Sequence, residues 1–343
     1  MKINNEHIQG IVEGYGIHDI IRTVSPYIEY YEMDNTPKEM KFISRVEFAN
    51  HPPIIVKISK EDNHATQAIE EQSIFSEYLR EHGILTAKRY KKGNSYCTIY
   101  ELEELETNVT VEDYLGEEIK AIDCNMAFHI GVLMGRIHSI SEKGNCHIHA
   151  NTIFNLAGYD EVNGYNMLKT FSDDGKINYE LFSEIHTLYK ERLNKALKNW
   201  SELPKFATQG DISINNLTLC GDDIAIFDFN IAGDETLVGD MIIEGLLTAY
   251  EMDIKDTKKE MPRFDIFLAF VKGYMSIRKL TKEEQQAANH ILAVSDALWF
   301  AKIMYKDSSI EKLIDQNNQE EINKILCSIK EDLSYDYSFI FME

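Results

Sequence analysis

The hydrophobic positions fall into two regimes along the chain. From Tyr27 to Lys60 they follow strand spacing: Tyr27 to Met33 is aromatic-rich, Phe42 to Phe48 alternates, and Ile54-Ile55-Val56-Lys57-Ile58 follows the Pro52-Pro53 break. A period of two marks strands, so this stretch predicts a small antiparallel sheet. Ala65 to His82 switches to helical spacing, with Ile69, Phe75, Tyr78 and Leu79 near one face and Gly83 in the stop position. Ser95 to Leu102 predicts another strand.

Beyond the acidic run Glu101 to Glu106, the pattern becomes that of long amphipathic helices. Ile130, Leu133, Met134 and Ile137 recur at i, i+3, i+4 and i+7, and Asn125 is placed to cap that helix. A second helix is expected from Tyr179 to Trp200. Apolar runs Leu217 to Cys220 and Ile224 to Phe229 flank the turn Gly221-Asp222-Asp223 and predict a hairpin. From Asp240 onward several helices follow, with no internal repeat and no low-complexity tract. The expected class is α+β: a small antiparallel β lobe over residues 1–102 and a large helical lobe over residues 103–343. Active sites commonly lie between two such lobes.

Composition narrows the function classes. A chain of 343 residues, 44% hydrophobic, can bury a large core. Its net charge of -22, from 57 acidic against 35 basic residues, argues against a nucleic-acid partner, which needs clustered Lys and Arg. The same charge attracts cationic ligands. Five scattered cysteines without a C-x-x-C pair give neither a disulfide framework nor a zinc site, which fits a reducing cytoplasm. The polar start Met1-Lys2-Ile3-Asn4-Asn5-Glu6-His7 gives no expectation of a secretory signal, and no apolar run reaches the roughly 20 residues of a membrane helix.

The candidate chemistry is concentrated in Thr208-Gln209-Gly210-Asp211-Ile212-Ser213-Ile214-Asn215-Asn216 and Ile224-Ala225-Ile226-Phe227-Asp228-Phe229. Phosphoryl transfer needs a carboxylate to take the incoming hydroxyl's proton and oxygen ligands to hold Mg²⁺ on the phosphates. Asp211, Asn216 and Asp228 supply those groups, and the predicted hairpin returns Asp228 to the side of Asn216.

These motifs resemble the aminoglycoside phosphotransferase and choline kinase-like superfamily, which has a two-lobed protein kinase-like fold. The family's H-G-D-x-x-x-x-N loop is matched by Gln209, Gly210, Asp211 and Asn216, and its hydrophobic-D-hydrophobic strand end by Phe227, Asp228 and Phe229. Its strand-borne lysine is matched by Lys57, and its G-x-x-L-G-x-L-H-S helix by Ile130 to Ser139. Asp240 stands where the family has an Asp that buttresses the catalytic loop. The resemblance spans residues 53–244. It implies transfer of the γ-phosphate of ATP to a hydroxyl of a small molecule, with Asp211 as base, Asn216 and Asp228 on Mg²⁺, and Lys57 on the α/β-phosphates. The family spacing counted back from Leu79 lands on Gln72, with Glu71 and Glu70 adjacent; Glu71 is expected to clamp Lys57, and the backbone of Glu101 and Leu102, in the hinge, to meet the nucleotide's adenine or guanine. The acceptor class stays open among aminoglycoside, choline and amino-sugar types; the acidic balance favours an amine-bearing one.

Two departures stand out. Gln209 replaces the family's usual His, though its amide still donates and accepts hydrogen bonds. No glycine occurs from Ile17 to His82, so the phosphate-covering loop expected near Asp34 to Lys41 lacks the residue that lets a backbone approach phosphates closely, leaving ATP or GTP as the nucleotide. Both departures motivate an alternative, a kinase-like module that binds a nucleotide or ligand without turnover. Elsewhere, Cys146-His147-Ile148-His149 reads as ordinary surface chain rather than a metal site, and His138 as a satisfied core residue.

Overall fold

A computed structural model of the chain describes residues 3–32, 39–60, 65–102, 105–152, 163–221, 223–250 and 263–342. In chain order the elements begin with α1 (Asn5–Gly14), β1 (Ile21–Glu32), β2 (Glu39–Phe48), β3 (Ile54–Lys60), α2 (Thr66–Glu81), β4 (Thr98–Leu102) and β5 (Leu105–Asp113). Then come α3 (Cys124–Gly144), α4 (Tyr165–Asp173), α5 (Tyr179–Glu202), β6 (Lys205–Thr208), β7 (Leu217–Cys220), β8 (Asp223–Ile226) and β9 (Gly233–Thr236). The C-terminal part holds α6 (Leu237–Tyr250), α7 (Arg263–Ile277), α8 (Lys282–Ala297), α9 (Phe300–Ile303), α10 (Ile310–Asp315), α11 (Gln319–Ser334) and α12 (Ser338–Phe341).

The chain divides into two compact units, each assembled from separate lengths of sequence. The first takes residues 1–120, 140–150 and 214–233, and the second residues 121–139, 151–213 and 234–343. The boundary expected after Leu102 falls between β4 and β5, which are paired strands. Long amphipathic helices are expected to dominate beyond the acidic run, but Leu105–Asp113 is first the strand β5. Its β-branched residues Thr107, Val109, Thr110 and Val111 suit a pleated surface better than a helix.

In the first unit, five antiparallel strands pair in the order β1-β2-β3-β5-β4. Alternation decides which face is buried: Ile54, Val56 and Ile58 of β3 enter a core with Met40, Phe42 and Val46 of β2 and Val109 and Val111 of β5. Helix α1 adds Ile8, Ile11 and Val12 to that core. Its start is fixed by a capping box in which the Asn4 side chain accepts from the His7 backbone and the His7 side chain accepts from the Asn4 backbone. Helix α2 stops where expected. Gly83 takes φ 84°, its N–H donates to Arg80, and the N–H of Ile84 donates to Leu79, a Schellman closure with both apolar partners buried. The hairpin β7-β8 pairs Leu217 with Ile226 and Cys220 with Asp223.

The second unit is mostly helical, with β6 paired to β9. Helix α3 starts one residue before the expected cap: Asp123, not Asn125, accepts from the N–H of Met126. Gly131 of α3 lies so close to α7 that a Cβ there would stand 2.0 Å from the Phe270 carbonyl oxygen. Helices α4, α5, α10 and α11 share an apolar core built on Leu168, Ile185, Ile310, Ile322 and Leu326. Among the described residues, no helix is long and apolar enough to cross a membrane.

Candidate active site

Lys57 sits on β3 with Ile55, on the face opposite Ile54, Val56 and Ile58. Its Nζ lies 2.9 Å from Oδ1 of Asp228 and 3.0 Å from Oε1 of Glu112. The second oxygen of Glu112 meets Nη2 of Arg89 at 2.9 Å. Burial alone would lower the Lys57 pKa, but the carboxylates of Asp228 and Glu112 outweigh it and hold the ammonium above its ordinary value. The reverse holds for Asp228: burial would raise it, and Lys57 keeps it below the usual carboxylate range.

Asn216 closes a short 3₁₀ turn, Ile214–Asn216, that leads into β7. Its carbonyl accepts from the N–H of Phe227 at 3.0 Å, extending the hairpin so that Asp228 follows directly. Asp228 takes φ 56°, in the left-handed region that a non-glycine residue occupies only when its surroundings require it. Lys57, Glu112, Asn216 and Asp228 all line one cavity of about 380 Å³. Its wall also includes the segment 113–118. That segment is tied in place by Tyr114 N–H donating to Pro53, Ile119 N–H donating to Leu217, and the Thr218 hydroxyl donating to Glu117. Gly116, at φ 139°, leaves room for the Thr218 hydroxyl, which a Cβ would meet at 3.0 Å.

Asp211 belongs to the second unit, half-buried in the loop after β6. Three buried side chains shape that loop. The side-chain oxygen of Gln209 accepts from the N–H of Asp211 at 2.8 Å. Oε2 of Glu244 accepts from the N–H of Ile212 at 2.7 Å. Oδ1 of Asp240 accepts from the Thr208 hydroxyl at 3.2 Å. Asp240 and Glu244 are four residues apart on α6, so both face the same segment. The other oxygen of Asp240 lies 3.0 Å from Nε2 of His138, whose Nδ1 lies 2.9 Å from the Tyr274 hydroxyl. His138 is therefore a satisfied core histidine. Gly210 turns the chain at φ 78°.

No protein-family model and no curated protein matches the chain by sequence. Solved structures do match it. An amicoumacin kinase in complex with AMP-PNP, Ca²⁺ and Ami is 14% identical over 85% of each chain, with a TM-score of 0.54. A microcompartment-associated aminopropanol kinase is 13% identical over 96% of each chain, also at 0.54. An aminoglycoside phosphotransferase from Alicyclobacillus acidocaldarius is 11% identical over 85% of this chain and 90% of that one, at 0.51. The chain has the aminoglycoside phosphotransferase fold.

On this phosphotransferase fold, several expected positions move. Glu71 does not clamp Lys57: its carboxylate accepts from the backbone N–H of His149 at 2.7 Å and lies 3.1 Å from that ring's Nδ1. The neighbouring Gln72 turns inward, donating to the carbonyls of Asn230 at 2.9 Å and Ala232 at 3.0 Å, while Glu77, also buried on α2, accepts from the backbone N–H of Arg89 at 2.6 Å. Glu101 and Leu102 lie on β4, the edge strand, where Glu101 is exposed and Leu102 enters the apolar core. Neither lines the cavity; the segment after β5 does. Residues 34–38 of the expected phosphate loop lie outside the described residues. His149 is a surface residue held by Glu71, and among the described residues no group of three or more His, Cys, Asp or Glu side chains is arranged to hold a metal ion. Sequence reasoning missed Glu112 and Arg89; the signal for the first was the β-branched run 107–111 followed by Gly116, which marks a strand running into a turn.

Proposed function

We propose that the protein is an ATP-dependent phosphotransferase that moves the γ-phosphate of ATP to a hydroxyl of a small, amine-bearing molecule. One observation carries this reading: Lys57, Asn216 and Asp228, three residues singled out by motif, line a single cavity large enough for part of a nucleotide. The fold of the solved neighbours, all kinases or phosphotransferases by their names, supports the same reaction class.

In this proposal the first unit binds the nucleotide and the second carries the base and the acceptor. Lys57 holds the α/β-phosphates by charge. The backbone of Leu115 to Glu117 receives the purine ring of the nucleotide, in the role expected of Glu101 and Leu102. Asn216 and Asp228 offer oxygen donors only, a set that fits Mg²⁺, which takes one or two protein ligands and fills its shell with phosphate and water. When bound, the ion neutralises charge on the phosphates. Asp211 orients the acceptor hydroxyl and takes its proton, a task that needs a fixed loop more than a tuned pKa. The net charge of -22 favours an acceptor that carries a cationic amine.

The alternative, a module that binds without turnover, drew on Gln209. That side chain makes a hydrogen bond to the Asp211 backbone, so the loop keeps a support despite the exchange of His for Gln. Thermal melting with ATP and Mg²⁺ tests the binding half of the proposal. A ligand at a hundred times its Kd adds about 2.7 kcal/mol to native stability, so the expected result is an upward shift in Tm of a few degrees that needs both ATP and Mg²⁺ and is lost in Asp228→Asn. Equal shifts in the variant would contradict the metal role of Asp228.

A further inference from the structure

Kinase folds commonly fix the strand lysine with a glutamate from the neighbouring helix. The helix of this chain has no such residue in place. Gln72 occupies an inward position of α2, and both its amide contacts are donated to the carbonyls of Asn230 and Ala232, just after Asp228. A glutamate at that position would set a carboxylate against two carbonyl oxygens, so this packing excludes one. Glu71, one residue earlier, is committed to His149.

A carboxylate reaches Lys57 from elsewhere. In the β3-β5 register Ile55 pairs with Glu112 and Lys57 with Thr110, which puts Lys57 and Glu112 on one sheet face as diagonal neighbours, within reach of long side chains. Glu112 is 2% exposed. Each of its oxygens takes one cation: Oε1 lies 3.0 Å from Lys57 and Oε2 lies 2.9 Å from Arg89. Arg89 is itself buried, and a backbone bridge pairs it with Glu112, so its guanidinium lies beside the carboxylate. Among the described residues Oε2 makes no hydrogen bond, so the Arg89 contact is an ion pair, and charge on both sides keeps the buried carboxylate between its two cations.

We propose that Glu112, anchored by Arg89, is the positioning residue for Lys57, in place of a glutamate on helix α2. The inference rests on the nucleotide-binding reading of the cavity. It gives Asp228 freedom that a single-partner lysine would not: Lys57 keeps one carboxylate when Asp228 turns to another ligand. It also ties the aim of Lys57 to the sheet, so displacement of α2 does not switch the site off.

The test compares MgATP with adenosine, which lacks the phosphates that Lys57 would contact. Dissociation constants are measured by titration calorimetry for the wild type, Glu112→Gln, Glu112→Asp and Glu71→Gln. Glu112→Gln is expected to weaken MgATP about tenfold, the scale of one charge-assisted hydrogen bond, and to leave adenosine affinity unchanged. Glu71→Gln leaves both unchanged. Where Glu112→Gln fails to fold because Arg89 loses its counter-charge, Glu112→Asp keeps that charge, draws the carboxylate back by one methylene, and must show the same selective loss for MgATP. Wild-type affinity for MgATP in the folded Glu112 variants, or equal losses for MgATP and adenosine, would overturn the assignment. Failure of the wild type to bind either compound would instead remove the nucleotide reading, and the assignment with it.

Discussion

Oδ1 of Asp228 and Nζ of Lys57 stand 2.9 Å apart although 171 residues separate them in the chain. The contact joins the central strand of the sheet to the end of the β7-β8 hairpin, and its pH dependence follows from the two pKa directions. Asp228 is held below its ordinary value, so its contribution to stability is present above the unfolded carboxyl pKa of about 3.9 and is lost as pH falls through the lower folded value. Lys57 is held above its ordinary value, so its contribution is present below about 10.4 and is lost as pH rises through the higher folded value. Urea denaturation of the wild type and Asp228→Asn should therefore show a stability gap that narrows as pH drops below about 4. A gap that widens there would show that the pair does not hold Asp228 ionised.

The backbone at Asp228 makes a separate demand. At φ 56° an Asn fits nearly as well as Asp, whereas Ala does not. Asp228→Ala is expected to be less stable than Asp228→Asn by about 1 kcal/mol, measured by chemical denaturation at neutral pH.

Glu235 is a buried carboxylate of the opposite kind. Burial raises its pKa, and hydrogen bonds from the Thr236 N–H at 2.6 Å and the Trp200 indole N–H at 2.7 Å only partly offset that. A carboxyl whose folded pKa exceeds its unfolded value favours the protonated native state, so its share of stability grows as pH falls through the raised value toward about 4.3. Relative to Glu235→Gln, the wild type should gain Tm over that interval and lose the gain above it. A flat difference across pH would contradict the assignment.

Two glycines should respond in opposite ways to alanine. At Gly131 the added methyl would lie 2.0 Å from the backbone oxygen of Phe270, which cannot swing aside, so Gly131→Ala should cost roughly 1–3 kcal/mol as an overpacked helix contact. At Gly10, exposed in α1, the nearest atom is the Tyr100 hydroxyl at 3.8 Å, and Gly10→Ala should stabilise by about 0.5–1 kcal/mol. Thermal melts of the two variants decide both.

Much of this was legible in the sequence where the signal was local. The stop at Gly83, the 217–226 hairpin and the return of Asp228 beside Asn216 depend on turn chemistry and short spacing, and the structure agrees with them. His138 was readable as a satisfied core residue from its apolar helix, and its two ring nitrogens are both partnered. What escaped depends on pairing across the sheet. Strand order placed β5 inside β4, which sent Glu101 and Leu102 to the edge and brought 113–118 to the cavity. Glu112 meets Lys57, and Arg89 meets Glu112, only through that pairing, and no spacing along the chain encodes it. The remaining error is one of residue type: the family spacing lands on Gln72, which does turn inward, whereas the adjacent acid Glu71, expected to clamp Lys57, meets His149.

The central claim is that the chain transfers phosphate with Asp211 as the base. Acceptor-dependent consumption of ATP, measured over a panel of amino alcohols, amino sugars and aminoglycosides for the wild type and Asp211→Asn, tests it most directly. The account predicts turnover by the wild type with at least one amine-bearing hydroxyl compound, and a fall of at least about a hundredfold in kcat for Asp211→Asn, the lower range for loss of a general base. Undiminished turnover by Asp211→Asn would contradict it.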